Sequence, residues 1–357
     1  MIDRDNSFES DLSPSLREVA AVAAAPTAAN ELQQHVQGFV GEDLQQVEKY
    51  LRSATSSRYA AVERLSQSAA GGGGKRLRPT LVFLSAYACQ QAPLSLAQRA
   101  DLQAIATAVE LVHAASLVHD DVMDAAAERR HQPTIVDQAG NSAAVLLGDF
   151  LFTRGYALAA SCRSTVPARR IAAAATELCE GELRQQASAG AWDISLAEYR
   201  SLLLQKTGAL CAVSCRLGAW RAAAPRPITR ALQQFGNLLG LAFQIYDDWL
   251  DYWGTQQVGK TLGTDLAQLK PTLPLIRLLQ TTSASRRAQL LELLRVPGEA
   301  DREQVLRLLD ASDAAQFTLR IARRCVTQAK AKLATLPATP ARQCLLAVAD
   351  YSVRRSL

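Results

Sequence analysis

Apolar residues recur every three or four positions along most of the chain after residue 30. In residues 96–118, Leu, Ile, Val and Ala repeat at this spacing, which is the period of one face of an α-helix. Alanine and leucine, both strong helix formers, dominate these segments, and prolines fall mostly between them. The alternating pattern of a β-strand is nearly absent. The pattern therefore predicts an all-α protein.

The domain organisation predicted from the sequence is simple. Residues 1–30 mix Ser, Asp and Pro with an Ala-rich run and have little to bury, so we predict a loosely ordered N-terminal extension. Residues 31–357 show no linker-like shift in composition and no repeat of solenoid length. We predict one catalytic domain there, a single large bundle of roughly a dozen helices.

Composition excludes several classes of protein. The 357 residues contain 39 Lys and Arg against 34 Asp and Glu, and these charges are scattered, which argues against a nucleic-acid-binding face. The first residues are polar and acidic, unlike a signal peptide, and no continuous apolar run of membrane-spanning length follows. The seven Cys residues form no CxxC pair. We therefore expect a cytoplasmic protein without an integral membrane segment.

Two clusters of aspartate each end an apolar helical run. They consist of Asp120, Asp121 and Asp124, and of Asp247, Asp248 and Asp251. Aspartates four residues apart share a helix face, where their charges repel, and a helix C-terminus disfavours anions. One such cluster alone is more often a solvated helix end. Two copies favour carboxylates that face a bound cation, and ligands that are all oxygens favour Mg²⁺ over zinc or copper. Because Mg²⁺ usually completes its shell with water and phosphate, a phosphate or diphosphate substrate is indicated.

Basic side chains follow a glycine run and flank both clusters. The segment 71–79, GGGGKRLRP, offers backbone N–H groups and cations that suit phosphate oxygens, but it lacks the Ser or Thr of a P-loop after its lysine. A flexible linker with a solvated basic end is the competing interpretation. His113 lies on nearly the same helix face as Asp120, although a histidine on an apolar helix is more often a core residue. The other candidates near the two clusters are Arg129, Arg130, Lys206, Thr207, Gln244 and Lys260.

These motifs together resemble the trans-isoprenyl diphosphate synthases, or polyprenyl synthetases. The matching segments are GGGGKRLRP, the ExxHxxSLxHDDVMD of residues 110–124, the RR pair, KTGAL, FQIYDDWLD and GKTLGTDL, and the resemblance covers roughly residues 40–350. It implies an all-α bundle around a deep central cavity, the isoprenoid synthase fold, and a homodimer. It also implies Mg²⁺-dependent head-to-tail condensation of isopentenyl diphosphate with an allylic diphosphate, with release of pyrophosphate.

The resemblance also implies roles for single residues. The six aspartates would form the two magnesium motifs. Isopentenyl diphosphate would be bound by Lys75, Arg78, His113 and Arg130. The allylic diphosphate would be bound by Arg129, Lys206 and Lys260, and the developing carbocation would be stabilised by the oxygens of Thr207 and Gln244. Three departures put local loop geometry in question: His131 replaces a common Gly, the Gly run is long, and Leu269-Lys270-Pro271 replaces a common Gly-Lys pattern.

Small residues before the first aspartate cluster bear on product length. In the family, an aromatic residue near the positions of Ala115 and Ser116 stops chain growth early. The small residues here, with Val112 one turn deeper, predict a long-chain, octaprenyl-like product of the kind used for quinone side chains, with Phe150 or Phe152 as a possible floor. Geranylgeranyl or farnesyl diphosphate is the alternative, because Ala is common throughout the chain.

Two further functions compete with a synthase. A terpene cyclase would normally carry Asn, Ser or Thr, and Glu in its second metal motif, and it would not need the clamp of Lys75, Arg78 and His113 for a second diphosphate. A non-catalytic subunit of a heteromeric prenyl synthase could lose its acidic motifs, whereas this chain keeps both. The sequence therefore favours the active synthase.

Overall fold

The structure is a computed structural model that describes residues 26–71, 75–129, 132–254, 263–295 and 298–354, with backbone only for residues 26–35. Helices dominate these residues, which confirms the prediction of an all-α fold. In chain order the helices are α1 Pro26–Ala54, α2 Ala60–Gly71, α3 Leu77–Cys89, α4 Leu96–Met123, α5 Ile135–Ala139, α6 Asn141–Ser161, α7 Val166–Ala187, α8 Leu196–Leu203, α9 Ala209–Arg221, α10 Arg226–Trp253, α11 Thr264–Ala267, α12 Leu273–Thr281, α13 Ala284–Leu293, α14 Glu299–Asp310, α15 Ala314–Lys332 and α16 Pro340–Tyr351.

Three short elements complete the described structure. Glu128–Arg129 (β1) and Gln132–Pro133 (β2) form a two-stranded antiparallel hairpin directly after α4. A π-helical turn, Leu204–Gly208, joins α8 to α9, and a 3-10 turn, Leu333–Thr335, follows α15. Turns of π-helix inside α-helices often occur at functional sites.

Helix α4 lies at the centre of the bundle. Ser95 caps its N-terminus by accepting a hydrogen bond from the backbone N–H of Gln98, whose side chain accepts one from the Ser95 N–H in return. Residues such as Leu102, Ile105 and Val109 are fully buried. The helix packs most extensively against α6, with α3 and α9 also against it. Its C-terminal end therefore holds the first aspartate cluster at a fixed place in the bundle.

Glycines on α10 let this helix approach its neighbours closely. A Cβ atom at Gly236 would lie 2.5 Å from the carbonyl oxygen of Cys211, and one at Gly240 would lie 2.8 Å from the Cα atom of Gly208. Both distances are too short for a side chain. The glycines therefore set how near α10 comes to α9 and to the π-helical turn.

A second, smaller apolar cluster lies beyond the C-terminal end of α10. Tyr252 packs there with Leu266, Leu275, Leu290 and Val305, which belong to α11, α12, α13 and α14. The main core contains α3, α4, α9 and α10 with most of the remaining helices. The end of α10 thus lies where the two apolar clusters meet.

By length and composition, two of the described helices are apolar enough to cross a membrane, contrary to the expectation from the sequence. In α4, 78% of the most apolar window is buried inside the protein, so this helix is accounted for as a core helix. In α6 only 33% of the corresponding window is buried. The outer face of α6 is therefore apolar and open.

Candidate active site

The ends of α4 and α10 bring the two aspartate clusters close to the same two lysines, Lys206 and Lys270. Lys270, in the segment between α11 and α12, places its Nζ 3.2 Å from Asp124 Oδ1. Lys206 interacts electrostatically with both Asp120 and Asp124, and it also lines the pocket with Asp248. This pocket of about 100 Å³ is further lined by Gln185, Ile194, Tyr199, Leu202, Leu203, Gln244, Asp265, Lys270, Pro271 and Thr272. Two sequence clusters separated by more than 120 residues thus face common basic groups.

Two of the three aspartates in the first cluster are partly or fully buried. Burial raises the pKa of Asp120 to about 6, against the opposing effects of Lys206 and Arg129. Asp121 is buried and accepts a 2.7 Å hydrogen bond from Arg129 Nε; burial raises its pKa, and Arg129 acts against that rise. Asp124, the last of the three, is exposed. The cluster therefore has one buried and one partly buried carboxylate that a cation would stabilise.

The chain reverses sharply after Asp124, and this turn brings Arg129 back to the cluster. Ala125 adopts φ 48°, in the left-handed region, and the N–H of Ala126 donates to the carbonyl oxygen of Asp121 at 3.0 Å. This is a helix-ending arrangement that glycine usually fills. The hairpin then places Arg129 against Asp121.

The second cluster is held by hydrogen bonds from other elements. Asp248 is buried and accepts from Tyr199 Oη at 2.6 Å and from Gln244 Nε2 at 3.2 Å. Burial raises the pKa of Asp248 to about 6 despite these two bonds. Asp251 accepts from Thr264 Oγ1 at 2.5 Å and from the N–H of Asp265 at 3.0 Å. Asp247 is partly accessible.

The π-helical turn supplies the next two predicted residues. Lys206 Nζ lies 2.7 Å from Glu182 Oε2 and donates to Gln185 Oε1 at 2.6 Å. Burial acts to lower the pKa of Lys206, but the carboxylates of Glu182 and Asp120 outweigh burial and raise it. Thr207 Oγ1 donates to Gln244 Oε1 at 3.0 Å. Lys206 therefore stays a cation, while Thr207 and Gln244 are linked to Asp248.

The predicted isopentenyl clamp is only partly assembled. Lys75 is exposed, and its Nζ donates to Tyr351 Oη at 3.0 Å, on the face of α16. Arg78 is partly buried, and its Nε is buried without a hydrogen-bond partner among the described residues. His113 is partly accessible on α4. Arg130, His131 and Lys260 lie outside the described residues.

Arg76, for which the sequence predicted no role, anchors the start of α3. Its guanidinium lies 2.6 Å from Glu48 and 3.0 Å from Glu110, and it also donates to the carbonyl oxygen of Ala70 at 2.9 Å. It adopts φ 48° at the residue before the helix. The two flanking basic residues, Lys75 and Arg78, are therefore positioned by a buried ion pair.

The residues that escaped prediction include Gln185, Tyr199, Asp265 and Lys270 of the pocket lining, and Glu182 beside Lys206. Burial, and then the charges of Asp251 and Asp248, raise the pKa of Asp265 well above its ordinary value. Asp265 lies in the GTDL motif, which carried a signal for it, whereas Lys270 follows in the segment after α11. Glu182, Gln185 and Tyr199 lie on α7 and α8, far from either motif in sequence, and only the fold brings them in.

The donor set fits a hard divalent cation. In the part of the chain that the structure describes, no three His, Cys, Asp or Glu side chains already converge on one point as a metal site. The ionisable ligands nearby are nevertheless Asp and Glu carboxylates, and the pKa values of partly buried Asp120 and buried Asp248 are raised. Carboxylates set apart around a pocket suit an ion that keeps water or phosphate oxygens in its shell.

The three residues predicted to set chain length lie below Asp120 on α4. Ala115 and Val112 are fully buried, and Ser116 is buried with its Oγ donating to the carbonyl oxygen of His113 at 2.8 Å. A Cβ atom at Gly155 of α6 would lie 3.3 Å from Val112 Cγ2, so α6 packs closely at this level. Of the two candidate floor residues, Phe152 lies beside His119, with ring centroids 5.8 Å apart. Their role in product length stays a prediction.

Comparison with known proteins gives a consistent result. The family described as Polyprenyl synthetase matches residues 60–311. The chain is 35% identical to heptaprenyl diphosphate synthase component 2 of Geobacillus stearothermophilus over 89% of this chain and 97% of that protein. It is 32% identical to octaprenyl diphosphate synthase of Haemophilus influenzae over 90% and 96%. A polyprenyl synthase from Caulobacter crescentus CB15, solved in complex with calcium and isoprenyl diphosphate, superposes with a TM-score of 0.84 at 33% identity and covers 91% of this chain and 98% of its own.

Proposed function

Because this chain belongs to the polyprenyl synthetase family and is a prenyltransferase that makes trans-polyprenyl diphosphates, we propose that its pocket joins isopentenyl diphosphate head-to-tail to an allylic diphosphate and releases pyrophosphate. The observation that carries the proposal is the meeting of both aspartate clusters around Lys206 and Lys270. Lysines between two carboxylate clusters can bind an anion that carries several negative charges, while the carboxylates bind the metal ions that accompany it. A diphosphate leaving group has this charge.

We propose Mg²⁺ as the metal, held by Asp120, Asp121 and Asp124 on one side and by Asp247, Asp248 and Asp251 on the other. The Caulobacter crescentus structure contains calcium, and both ions are hard cations that prefer oxygen ligands. Bound here, the ion would stabilise the negative charge that develops on the departing diphosphate. Lys206 and Arg129 bind the same diphosphate from the protein side, with Lys260 in the same proposed role.

The protein's own groups then act on the reacting carbon skeleton. The side-chain oxygens of Thr207 and Gln244 lie 3.0 Å apart, and Gln244 is oriented by Asp248. Preorganised dipoles of this kind stabilise charge as it develops in the transition state. We assign them to the allylic carbocation. The apolar surfaces of α4 and α8 keep water from it.

The second substrate, isopentenyl diphosphate, is assigned to Lys75, Arg78 and His113, together with Arg130. The Arg78 Nε–H, which has no partner among the described residues, supports this assignment. A buried N–H without a partner destabilises the protein, and a hydrogen bond to a phosphate oxygen would remove that cost. Lys75 must exchange its contact with Tyr351 for the ligand.

For the product we propose a long-chain polyprenyl diphosphate. Ala115 and Ser116 are small, and both are buried directly below Asp120. Relatives that make long chains, the heptaprenyl and octaprenyl diphosphate synthases, match almost the whole chain. Geranylgeranyl diphosphate is the second candidate, and farnesyl diphosphate the third.

Product sizing tests this proposal. The purified protein is incubated with isopentenyl diphosphate, with each allylic primer in turn, and with Mg²⁺ in the presence or absence of a chelator. We expect metal-dependent condensation to products longer than geranylgeranyl. Products that stop at farnesyl would contradict the interpretation of Ala115 and Ser116. No condensation with any primer would overturn the assignment of the pocket.

We further propose a cytoplasmic homodimer that pairs through the outer face of α6. Val145 and Leu146 there are 42% and 69% exposed on an apolar helix. All seven cysteines are free, which suits a reducing compartment. Light scattering after size exclusion should show a dimer that Leu146→Glu weakens. A monomer active only with a second protein would favour a heteromer, as the name "component 2" of one relative suggests.

A further inference from the structure

The end of the bundle opposite the aspartate clusters is formed by the ends of five helices. The first turns of α4 meet the last turn of α9 there, because Arg221 Nε lies 2.7 Å from Asp101 Oδ2 and the carbonyl oxygen of Arg221 accepts from Gln98 at 3.1 Å. The end of α6 joins them, since Cys162 Sγ lies 3.9 Å from the carbonyl oxygen of Asp101. The starts of α7 and α10 follow directly from α6 and α9. We call this region the distal end.

The distal end is strongly cationic. Between Asp149 and Glu177, and again between Glu198 and Asp247, the sequence contains no Asp or Glu. Asp101, the acidic residue in the first turns of α4, is already paired with Arg221. The exposed arginines on the distal end are Arg163, Arg169, Arg170, Arg226 and Arg230. Their charges are therefore not offset by acidic residues nearby in sequence, whereas the charge of the whole chain is close to balanced.

Apolar side chains are exposed among these arginines. Leu96, the first residue of α4, is 88% exposed. Pro225 in the turn between α9 and α10 and Pro227 at the start of α10 are exposed, and Trp220 near the end of α9 is partly accessible. Arginine combined with exposed leucine and an indole at the border is typical of a protein surface that rests on lipid headgroups, where aromatic rings sit at the interface. A surface for nucleic acid would need the charges but not the exposed leucine.

We propose that the distal end docks on the surface of an anionic lipid bilayer. The inference rests on the proposed function in one respect: a hydrocarbon chain that grows from Asp120 along α4 advances toward the distal end. The helix spans about 28 Å between Asp120 and Asp101 at 1.5 Å per residue. Docking at this end would place the far end of the product near the only environment that dissolves a long polyprenyl chain. The ligand class is an anionic phospholipid headgroup layer.

Vesicle binding tests the proposal without requiring catalysis. The whole protein is sedimented with vesicles of phosphatidylglycerol and phosphatidylcholine, and separately with vesicles of phosphatidylcholine alone. We expect binding to the anionic vesicles at low salt, loss of binding as salt screens the charges, and little binding to the neutral ones. Each arginine at an anionic surface strengthens binding roughly fivefold, so Arg226→Glu/Arg230→Glu should weaken it by roughly 30-fold or more.

The double variant should fold normally, and a second double variant serves as its control. Glutamates in the first turns of α10 favour the helix dipole, so the double variant should keep its helical signal. The matched control is Arg52→Glu/Arg286→Glu, which makes the same charge change at two exposed arginines on α1 and α13 and should leave vesicle binding intact.

Three outcomes would overturn the proposal: no binding to anionic vesicles at low salt, equal loss in both double variants, or binding to a single-stranded RNA in place of vesicles. Condensation of soluble short primers, measured in parallel, should be unchanged in Arg226→Glu/Arg230→Glu. A failure of vesicle binding with normal condensation therefore leaves the proposed function standing, and a failure of condensation in the unmodified protein leaves the lipid result standing.

Discussion

At the scale of single residues, the ionised aspartates near the pocket destabilise the protein until a cation binds them. Asp120 and Asp248 are held where ionisation is unfavourable, with pKa values of about 6 against an ordinary 3.8. An acid whose pKa is higher in the folded state binds its proton more tightly there than in the unfolded chain. In the metal-free protein, each group therefore favours folding below about pH 4 and loses that contribution as the pH rises to about 6.

Asp120→Asn tests this cost. The amide keeps the shape of the side chain but has no charge to desolvate, so the metal-free variant should be more stable than the unmodified protein at neutral pH by roughly 1 kcal/mol. The gain should shrink toward about pH 4, and turnover should fall roughly 100-fold or more. Urea unfolding at several pH values and a condensation assay measure the two effects. A variant less stable than the parent at neutral pH would contradict the account.

Lys270→Gln tests a residue that the sequence did not assign. Lys270 joins the loop after the second cluster to Asp124 of the first. Its loss should raise the KM for the allylic diphosphate roughly tenfold, with a smaller effect on the KM for isopentenyl diphosphate. Lys49→Gln, at an exposed lysine on α1, is the control and should leave both constants unchanged. Equal effects on both substrates would argue against a place beside the allylic diphosphate.

The site residues that could be predicted lie in short sequence motifs, whereas those that could not are isolated in the sequence. Asp120 and Asp248 stand in a motif that occurs twice, Lys206 stands in a segment that resembles the family, and the fold brings the three close together. Tyr199 and Glu182 are single polar residues on helices with no motif-like spacing. Their contacts with Asp248 and Lys206 depend on how α7 and α8 pack, which periodicity does not specify.

At the scale of helices and turns, close backbone contact decides where the reactive groups stand. Gly240 lies against Gly208 and Thr207 in the π-helical turn, and Gln244 follows one turn later on α10. The distance between Thr207 and Gln244 thus depends on the absence of a side chain at residue 240. The sequence marked Thr207 and Gln244 as candidates, but the contact that sets their separation came only from the structure.

Gly240→Ala should separate this pair. The added methyl group would lie 2.8 Å from Gly208 Cα, so α10 or the turn must move, at a cost of roughly 1–3 kcal/mol in the free energy of unfolding. We also expect kcat to fall at least tenfold, since small displacements of positioned groups are costly. Gly38→Ala is the matched control: nothing lies within 4 Å of its Cβ position on α1, so stability should rise slightly. Unchanged turnover in Gly240→Ala would refute the positioning role.

At the scale of the whole molecule, the helical periodicity was sufficient to predict the fold class but not its division into two apolar clusters. An apolar stripe shows that a helix face is covered, not which neighbour covers it. The separate cluster around Tyr252 and the open face of α6 are therefore visible only in the structure. The six aspartates, by contrast, were predicted together, because each trio ends an apolar helix.

Ligand binding should act on this whole assembly. Mg²⁺ with inorganic pyrophosphate should raise the urea midpoint of unfolding at neutral pH more than either component alone, because the pair binds only the folded pocket. The same addition should have little effect on Asp248→Asn, in which a proposed metal ligand is replaced. An equal rise in the parent and the variant would place the binding elsewhere on the protein.

The end of α10 lies between the two apolar clusters, and this position has a consequence for partial unfolding of the protein. Asp251 accepts hydrogen bonds from the first residues of α11, and α11 belongs to the smaller cluster. Partial unfolding of α11–α14 would therefore release Asp251 while α4 keeps Asp120 in place. Amide hydrogen exchange should then show two rates, with faster exchange in α11–α14 that slows when metal and pyrophosphate bind. The catalytic pocket would then lie between two units that unfold separately, and bound substrate would couple the unfolding of one unit to that of the other.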